Sequence, residues 1–461
     1  MRQETEFEWV VPAKAACKWF IDTMGTEEWH RRRKAVVDYF LSLEKVELTE
    51  ADVQTPAINR LYRPIAVYDD WMAWYMYLVE SVLERPGVDE PFQSARVYPF
   101  FAAIGRHLEA LKKVKGINER LQTMLNEGQN QPDSTLFELA VLVLYLKNGW
   151  SVVCLEEARS GKTPDFEAKK NGQTFWVECK RLAKVPEFAD QERAEWQKRF
   201  RHLTNAMRLL NISAHAEVVF NVPIGDTSEF ILGQLFTTYH RQGALAKGEW
   251  LTNGTIDFRA RILDIPAINK TLDDENPRQN SPGMIKAITG DYEMHGAYTQ
   301  LIAYKQLSIV GPEDGLHVLN KFVNSIYAAY SAKYKCMAPA SIEKKAKDVR
   351  KLLSKAVSQI PTEGVGIIHI GYETVSGPEV EVVRQKRTKE TVDEFKFNGK
   401  NIQAIYCHAI QPLVTVGEFE CAETTLYFEK GPERIFTETL LLDPPGTEKR
   451  NSTHWEEDLN A

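Results

Sequence analysis

Cysteine is sparse and unpatterned in this sequence: six residues, at positions 17, 154, 179, 336, 407 and 421, with no CxxC pair. That argues against a zinc ribbon and against a disulfide framework, and a reducing cytoplasm is the expected compartment. Long hydrophobic runs are missing too. The longest, 139–146, stops at Lys147, far short of the roughly 20 apolar residues that span a bilayer. The first six residues, Met-Arg-Gln-Glu-Thr-Glu, are acidic with no apolar segment behind them, so no secretory signal is expected. HExxH, P-loop and GxSxG patterns are absent, which removes the zinc-protease, ATPase and α/β-hydrolase signatures. Gly161-Lys162-Thr163 has Glu156 where a P-loop needs its first glycine, and it reads as a turn. Positive charge is in deficit, with 57 Lys and Arg against 64 Asp and Glu, a net charge of −7. Indiscriminate coating of nucleic acid is disfavoured by that balance, although a local basic groove on an acidic body is not. No internal repeat is visible.

What is present is an ordinary globular composition, 43% apolar and 26% charged over 461 residues, enough for two or three domains. Residues 27–127 carry apolar side chains at helical spacing, punctuated by Pro56, Pro64, Pro86 and Pro91, and read as an all-helical N-terminal domain, 1–128. Trp71, Trp74, Tyr75 and Tyr77 cluster on one of its helices as packing residues rather than a base-stacking platform. A linker-like stretch, 128–133, follows. Then come an apolar helix at 135–147, strand-like runs at 150–155, 163–168 and 174–181, a charged helix at 187–210 and a strand at 216–222. Asn171-Gly172 between the second and third runs is a hairpin signal, because both residues tolerate positive φ. Residues 225–339 resist assignment and read as an insertion. The α/β rhythm resumes with a basic helix at 341–360, a buried strand at 364–370 and further strands at 402–410 and 424–429. His369, inside an apolar run, is expected in the core. The tail, 446–461, is polar and expected to be disordered.

The chemistry concentrates on three neighbouring segments. Along 174–180 side chains alternate between faces, so Phe175, Val177 and Cys179 point one way while Glu178 and Lys180 share the other. Across the hairpin, Asp165 begins the partner strand, entered through Pro164, and an antiparallel pairing can bring it near Glu178. Two converging carboxylates repel unless a cation compensates them, and hard oxygen ligands favour magnesium, with manganese as substitute. Such an ion polarises a phosphoryl oxygen and acidifies water, and Lys180 would stand beside the attacking water.

With Glu138 on the preceding helix, Pro164-Asp165 at a strand start and Glu178-Cys179-Lys180 on the next strand, the chain resembles the PD-(D/E)XK nuclease superfamily. The resemblance covers about residues 134–222. It implies a restriction-endonuclease-like α/β fold, an αβββαβ core with a mixed central sheet, here spanning 129–445 around the insertion at 225–339. It also implies that Asp165, Glu178 and the backbone carbonyl of Cys179 are metal ligands, that Lys180 is the catalytic lysine, and that Glu138 orients water or helps hold a second ion. The expected activity is magnesium-dependent hydrolysis of phosphodiester bonds in a nucleic acid, with DNA favoured over RNA.

Each motif has a plainer reading. Glu-x-Lys on a strand is usually solvated charge, Pro-Asp usually starts a turn, and Thr135-Leu136-Phe137-Glu138 fits a capping box with Thr135 as N-cap. Their conjunction on one helix–strand–hairpin frame favours the site. Positive charge for phosphate contact is sought in Arg181, Lys184, Arg193, Lys198, Arg199, Arg201 and Arg208, and in Lys344, Lys345, Lys347, Arg350, Lys351 and Lys355. The rival function is a catalytically silent nucleic-acid-binding or scaffold protein retaining the fold.

Overall fold

The computed structural model describes residues 9–44, 69–84, 90–127, 130–156, 163–182, 187–306, 322–415, 419–430, 434–442 and 451–460. Pro56, Pro64, Pro86, Gly161, Lys162 and Lys184 lie outside the described residues. The chain opens with helices α1 (Val11–Met24), α2 (Thr26–Glu44), α3 (Trp71–Glu84), α4 (Pro91–Arg106), α5 (Ile117–Asn126) and α6 (Pro132–Lys147). Trp74, Tyr75 and Tyr77 of α3 are buried among apolar neighbours, as the packing reading expects.

Three strands follow, β1 (Ser151–Cys154), β2 (Phe166–Lys170) and β3 (Gln173–Arg181), an antiparallel meander. The chain then leaves this sheet. Helix α7 (Glu187–Leu209), β4 (Ala214–Phe220), α8 (Ile231–Arg241), β5 (Leu251–Thr252), β6 (Ile256–Ile262), α9 (Ile265–Glu275), α10 (Pro282–Thr289), β7 (Ala297–Gln306) and β8 (Val323–Cys336) build a second, mixed sheet of order β5-β6-β4-β8-β7. The return runs through α11 (Pro339–Lys345) and α12 (Arg350–Gln359) to β9 (Val365–Glu373), α13 (Pro378–Glu394), β10 (Asn401–Val414), β11 (Phe419–Glu429) and α14 (His454–Asn460). The first sheet is then complete, order β1-β2-β3-β9-β10-β11, with β9 parallel to both β3 and β10. The protein is thus α/β with two mixed sheets.

Two expectations need correction. The strand anticipated at 216–222 is β4, and it does not join the first sheet. Its alternate residues Ala214, Ala216, Val218 and Phe220 pack with Trp196, Phe200, Leu203 and Met207 of α7, so helix and strand bury each other in a separate core. The place beside β3 goes to β9, whose nearly continuous apolar run suits a strand covered on both faces. The excursion therefore runs from Glu187 to Cys336, not from 225. Nor is the tail disordered throughout: Trp455 is buried, its indole N–H donating to Gln385 at 3.0 Å, and His454 bridges Thr374 and Thr424. One buried tryptophan supplies enough apolar area to dock a short polar helix.

Both faces of the first sheet are covered. On one, α1–α6 share a single apolar cluster with Phe175, Val177 and Cys179 of β3, Ile367 of β9 and Tyr406 of β10. On the other, Leu353 and Val357 of α12 and Trp455 of α14 pack on Ile368, Ile370 and Tyr372. Phe137 packs against Gly371, where a Cβ would come within 2.5 Å of its ring, which seats α6 on β9. His369 is buried as expected, between Tyr145 (3.2 Å) and His408 (3.0 Å), and burial holds its imidazole well below the usual range.

Charge ties the helical layer to the sheet. Glu373 of β9 accepts from Arg96 of α4 at 2.6 and 2.9 Å and from Arg181 of β3 at 2.6 Å. Arg181 also pairs with Asp133 of α6 at 3.4 Å. Removing the acid from a buried ion cluster leaves charge uncompensated and costs about 3–5 kcal/mol, whereas an exposed i,i+4 pair is worth about 0.5 kcal/mol or less. Glu373→Gln should therefore lower unfolding free energy by about 3 kcal/mol or more in urea denaturation, while Asp22→Asn, which breaks the exposed Lys18–Asp22 pair, should leave it nearly unchanged.

Candidate active site

The hairpin carries the centre. Asn171 and Gly172 adopt positive φ, 51° and 80°, the two-residue turn that the Asn-Gly pair favours. It sets the register Phe166↔Val177 and Ala168↔Phe175. The ladder ends at the first of these pairs, and Asp165 forms a bend just before β2. Here the ladder gives way to a side-chain contact. Asp165 N–H donates to Val177 O at 3.0 Å, and its Oδ2 accepts from Cys179 N–H at 2.7 Å. The Asp165 carboxylate is so held against the Glu178–Cys179 peptide.

Glu178 has no solvent exposure. Its Oε1 lies against Lys180 Nζ, while Oε2 is buried with no hydrogen-bond partner among the described residues. Burial pushes its carboxyl pKa up, the Asp165 charge pushes it further, and Lys180 opposes both, leaving it at about 8. Burial works against the Lys180 ammonium, yet the Glu178 and Asp165 charges outweigh it and raise its pKa. The thiol of Cys179 is pushed well up, first by burial and then by Asp165, Glu138 and Glu178, so it is no nucleophile.

Glu138 arrives from α6, buried at 6% exposure. The capping-box alternative does not hold. Helix α6 starts at Pro132, with Gln131 at its N-cap, because proline is favoured at a first helical position. Thr135 thus lies inside the helix, and Glu138 is left to face Arg120.

Arg120, on α5, was not singled out by sequence. Its Nε lies 3.0 Å from Glu138 Oε1 and its Nη2 3.9 Å from Asp165 Oδ1, and Nη2 also donates to Asp165 O at 3.2 Å. The loop before α5 is fastened to the sheet. Lys115 bridges Val153, and its carbonyl accepts from Cys154 N–H at 2.9 Å. Gly116, with φ 85°, passes so close that a Cβ would meet Cys154 O at 2.9 Å. No local pattern around Arg120 reports this, since its partners lie 18 and 45 positions away.

Of the four expected side chains, Asp165, Glu178 and Lys180 are brought together, and Glu138 is joined to Asp165 through Arg120. Among the described residues, however, no three His, Cys, Asp or Glu side chains gather as tightly as a metal ion requires. The donor set fits a hard cation in kind, and the unpartnered Glu178 Oε2 is an oxygen open to one. In place, Lys180 and Arg120 compensate the carboxylates.

Several expected phosphate contacts are engaged elsewhere. Arg181 serves Glu373. Arg199 is buried and bonded to Thr227 and Glu195, and Lys345 pairs with Glu192 at 2.8 Å. Lys344, Lys347, Arg350, Lys351 and Lys355 remain exposed. The last three stand on α12, which packs on β3 and β9 and whose Gln359 donates to Thr163 O, two residues before Asp165.

The raised Glu178 carboxyl makes a pH prediction for the cation-free protein. Its ordinary value is 4.5 and its folded value about 8, so between these the folded state binds more protons than the unfolded one, and stability falls as pH rises. Urea midpoints in chelator should drop from about pH 5 to about pH 8, and Glu178→Gln should flatten that slope.

The chain matches no protein-family model, no curated protein and no solved structure.

Proposed function

We propose that this protein is a magnesium-dependent nuclease of the PD-(D/E)XK kind, cleaving phosphodiester bonds in DNA. The observation that carries the reading is the Asp165 carboxylate bonded to the Cys179 N–H, directly beside Glu178, with Lys180 next along the same face of β3. Support for a restriction-endonuclease-like core comes from connectivity. Helix α6, the meander β1-β2-β3, then α12 and the parallel strand β9 follow the αβββαβ order once the excursion is set aside.

Asp165, Glu178 and the Cys179 carbonyl would hold the magnesium ion, which supplies charge to the phosphoryl oxygen and acidifies water. Lys180, its ammonium kept charged by Glu178, would stabilise hydroxide as it forms beside the phosphate. Glu138 would accept a hydrogen bond from water and orient it. Arg350, Lys351 and Lys355 on α12 offer positive charge to the backbone beyond the scissile bond, which the net charge of −7 otherwise withholds.

Compensation of the carboxylates by Lys180 and Arg120 also suits a silent scaffold, which would need no cation. DNA binding without cleavage, and without magnesium binding in calorimetry, would establish that second reading. On the first, Asp165→Ala and Lys180→Ala each reduce magnesium-dependent cleavage of linear or circular DNA at least about a hundredfold, with circular dichroism unchanged. Retained cleavage in both purified variants would exclude the assignment.

A further inference from the structure

We infer that Arg120 is a tethered counter-ion that occupies the carboxylate centre in the cation-free protein and sets how tightly a divalent cation binds there. The inference deepens the nuclease reading and rests on it. Three observations carry it. The guanidinium contacts two of the three carboxylate residues, Glu138 at 3.0 Å and Asp165 at 3.9 Å, with a further bond to the Asp165 carbonyl. It is only 12% exposed, so it is no solvated surface charge sharing the space by chance. And its approach is built. The Lys115 backbone is hydrogen-bonded to Cys154, and Gly116 takes a left-handed conformation at a point where any side chain would strike that strand.

An arginine keeps its charge at every accessible pH. It cannot release the carboxylates by losing a proton, and a cation has to compete with it for the same oxygens. Lys180 stands differently. It pairs with Glu178 from the same strand face, two residues along, and needs no neighbouring layer to bring it there. Arg120 arrives from the helical layer, so its hold on the carboxylates depends on the contact of α5 with the sheet. It is a positioning residue, acting through Glu138 and Asp165. The Glu178 carboxyl also feels Arg120, the smallest of the influences on it.

The test is manganese binding, followed by electron paramagnetic resonance of free Mn²⁺ on the full chain, which needs no turnover. Arg120→Gln should bind manganese at least about tenfold more tightly than the wild type, since an opposite charge beside a carboxylate is worth one to three units of proton affinity. Its thermal midpoint should fall in chelator and recover when manganese is added. A merely structural arginine would lower the midpoint equally with and without manganese and leave affinity unchanged, and that result would overturn the inference while sparing the site. Binding to the wild type that is lost in Asp165→Asn keeps the site reading in force. Manganese binding to neither wild type nor Arg120→Gln would overturn both readings. Where the glutamine variant does not fold, Arg120→Lys stands in. A point charge cannot span both acids, so affinity should rise about threefold, and no rise overturns the inference.

Discussion

Two acidic side chains on neighbouring strands, one of them wholly out of solvent, cannot both stay ionised unless positive charge is held against them. Much of this protein can be understood as a way of supplying it. Lys180 is the local solution, two residues from Glu178 and on the same face because strands alternate. Arg120 is the distant one, and it demands architecture. It requires α5 to lie over the start of β2, and hence the Lys115–Cys154 contact and the bare backbone of Gly116. It also requires the helical layer not to slide on the sheet. The cluster of Arg96, Arg181, Asp133 and Glu373 resists that, because shifting α4 or α6 would separate charges that are mostly desolvated.

The same constraint accounts for the division of the sheet's two faces. The α1–α6 face takes Phe175, Val177 and Cys179 of β3, which are uncharged and close-packed, with the paired Arg181 at the strand's end. The opposite face takes Trp176, Glu178 and Lys180. Helix α12 covers this face with Leu353 and Val357 toward the sheet and Arg350, Lys351 and Lys355 outward. A buried carboxylate with an unpartnered oxygen is costly in a packed core. Its persistence here is intelligible if the position serves a ligand instead of stability.

How much of this could be read in the chain follows from the range of each interaction. The Asn171-Gly172 turn, the alternation along β3 and the approach of Asp165 to the Glu178–Cys179 peptide are set by residues within about fifteen positions of one another, and local conformational preference is enough to determine them. Helix α6 was legible as an apolar run, but its start was displaced by three residues, since Pro132 competed with Thr135 as the signal and prevailed. Arg120 was invisible because an arginine on a charged amphipathic helix carries no mark of what it will meet in the folded protein. The wrong sheet for β4 has a related cause. Neighbours in sequence are usually neighbours in space, and β4 satisfies that rule within its own sheet, beside α7 and β6. Only the longer apolar run at 365–373, suited to burial on both sides, competes for the place next to β3. Nothing local decides between them.

The point at which the chain leaves the first sheet has a mechanical consequence. Strand β3 ends at Arg181, one residue beyond Lys180, and the second sheet lies between that end and the return through α11. The two ends of the excursion are fastened together. Glu192 near the start of α7 meets Lys345 at the end of α11 in a buried pair, and the Lys345 carbonyl accepts from Arg384 of α13 at 3.1 Å. Arg384 is itself paired with buried Glu381 and stacked over Tyr372 of β9. Force on the second sheet therefore reaches the first along the chain into Arg181 and also through this ionic link into Tyr372. Both converge on adjacent parallel strands at the same end. A buried charge pair is a stiff connector, because pulling it apart exposes uncompensated charge before it exposes water. The second sheet is thus joined by both chain and charge to the ends of the two parallel strands beside Lys180.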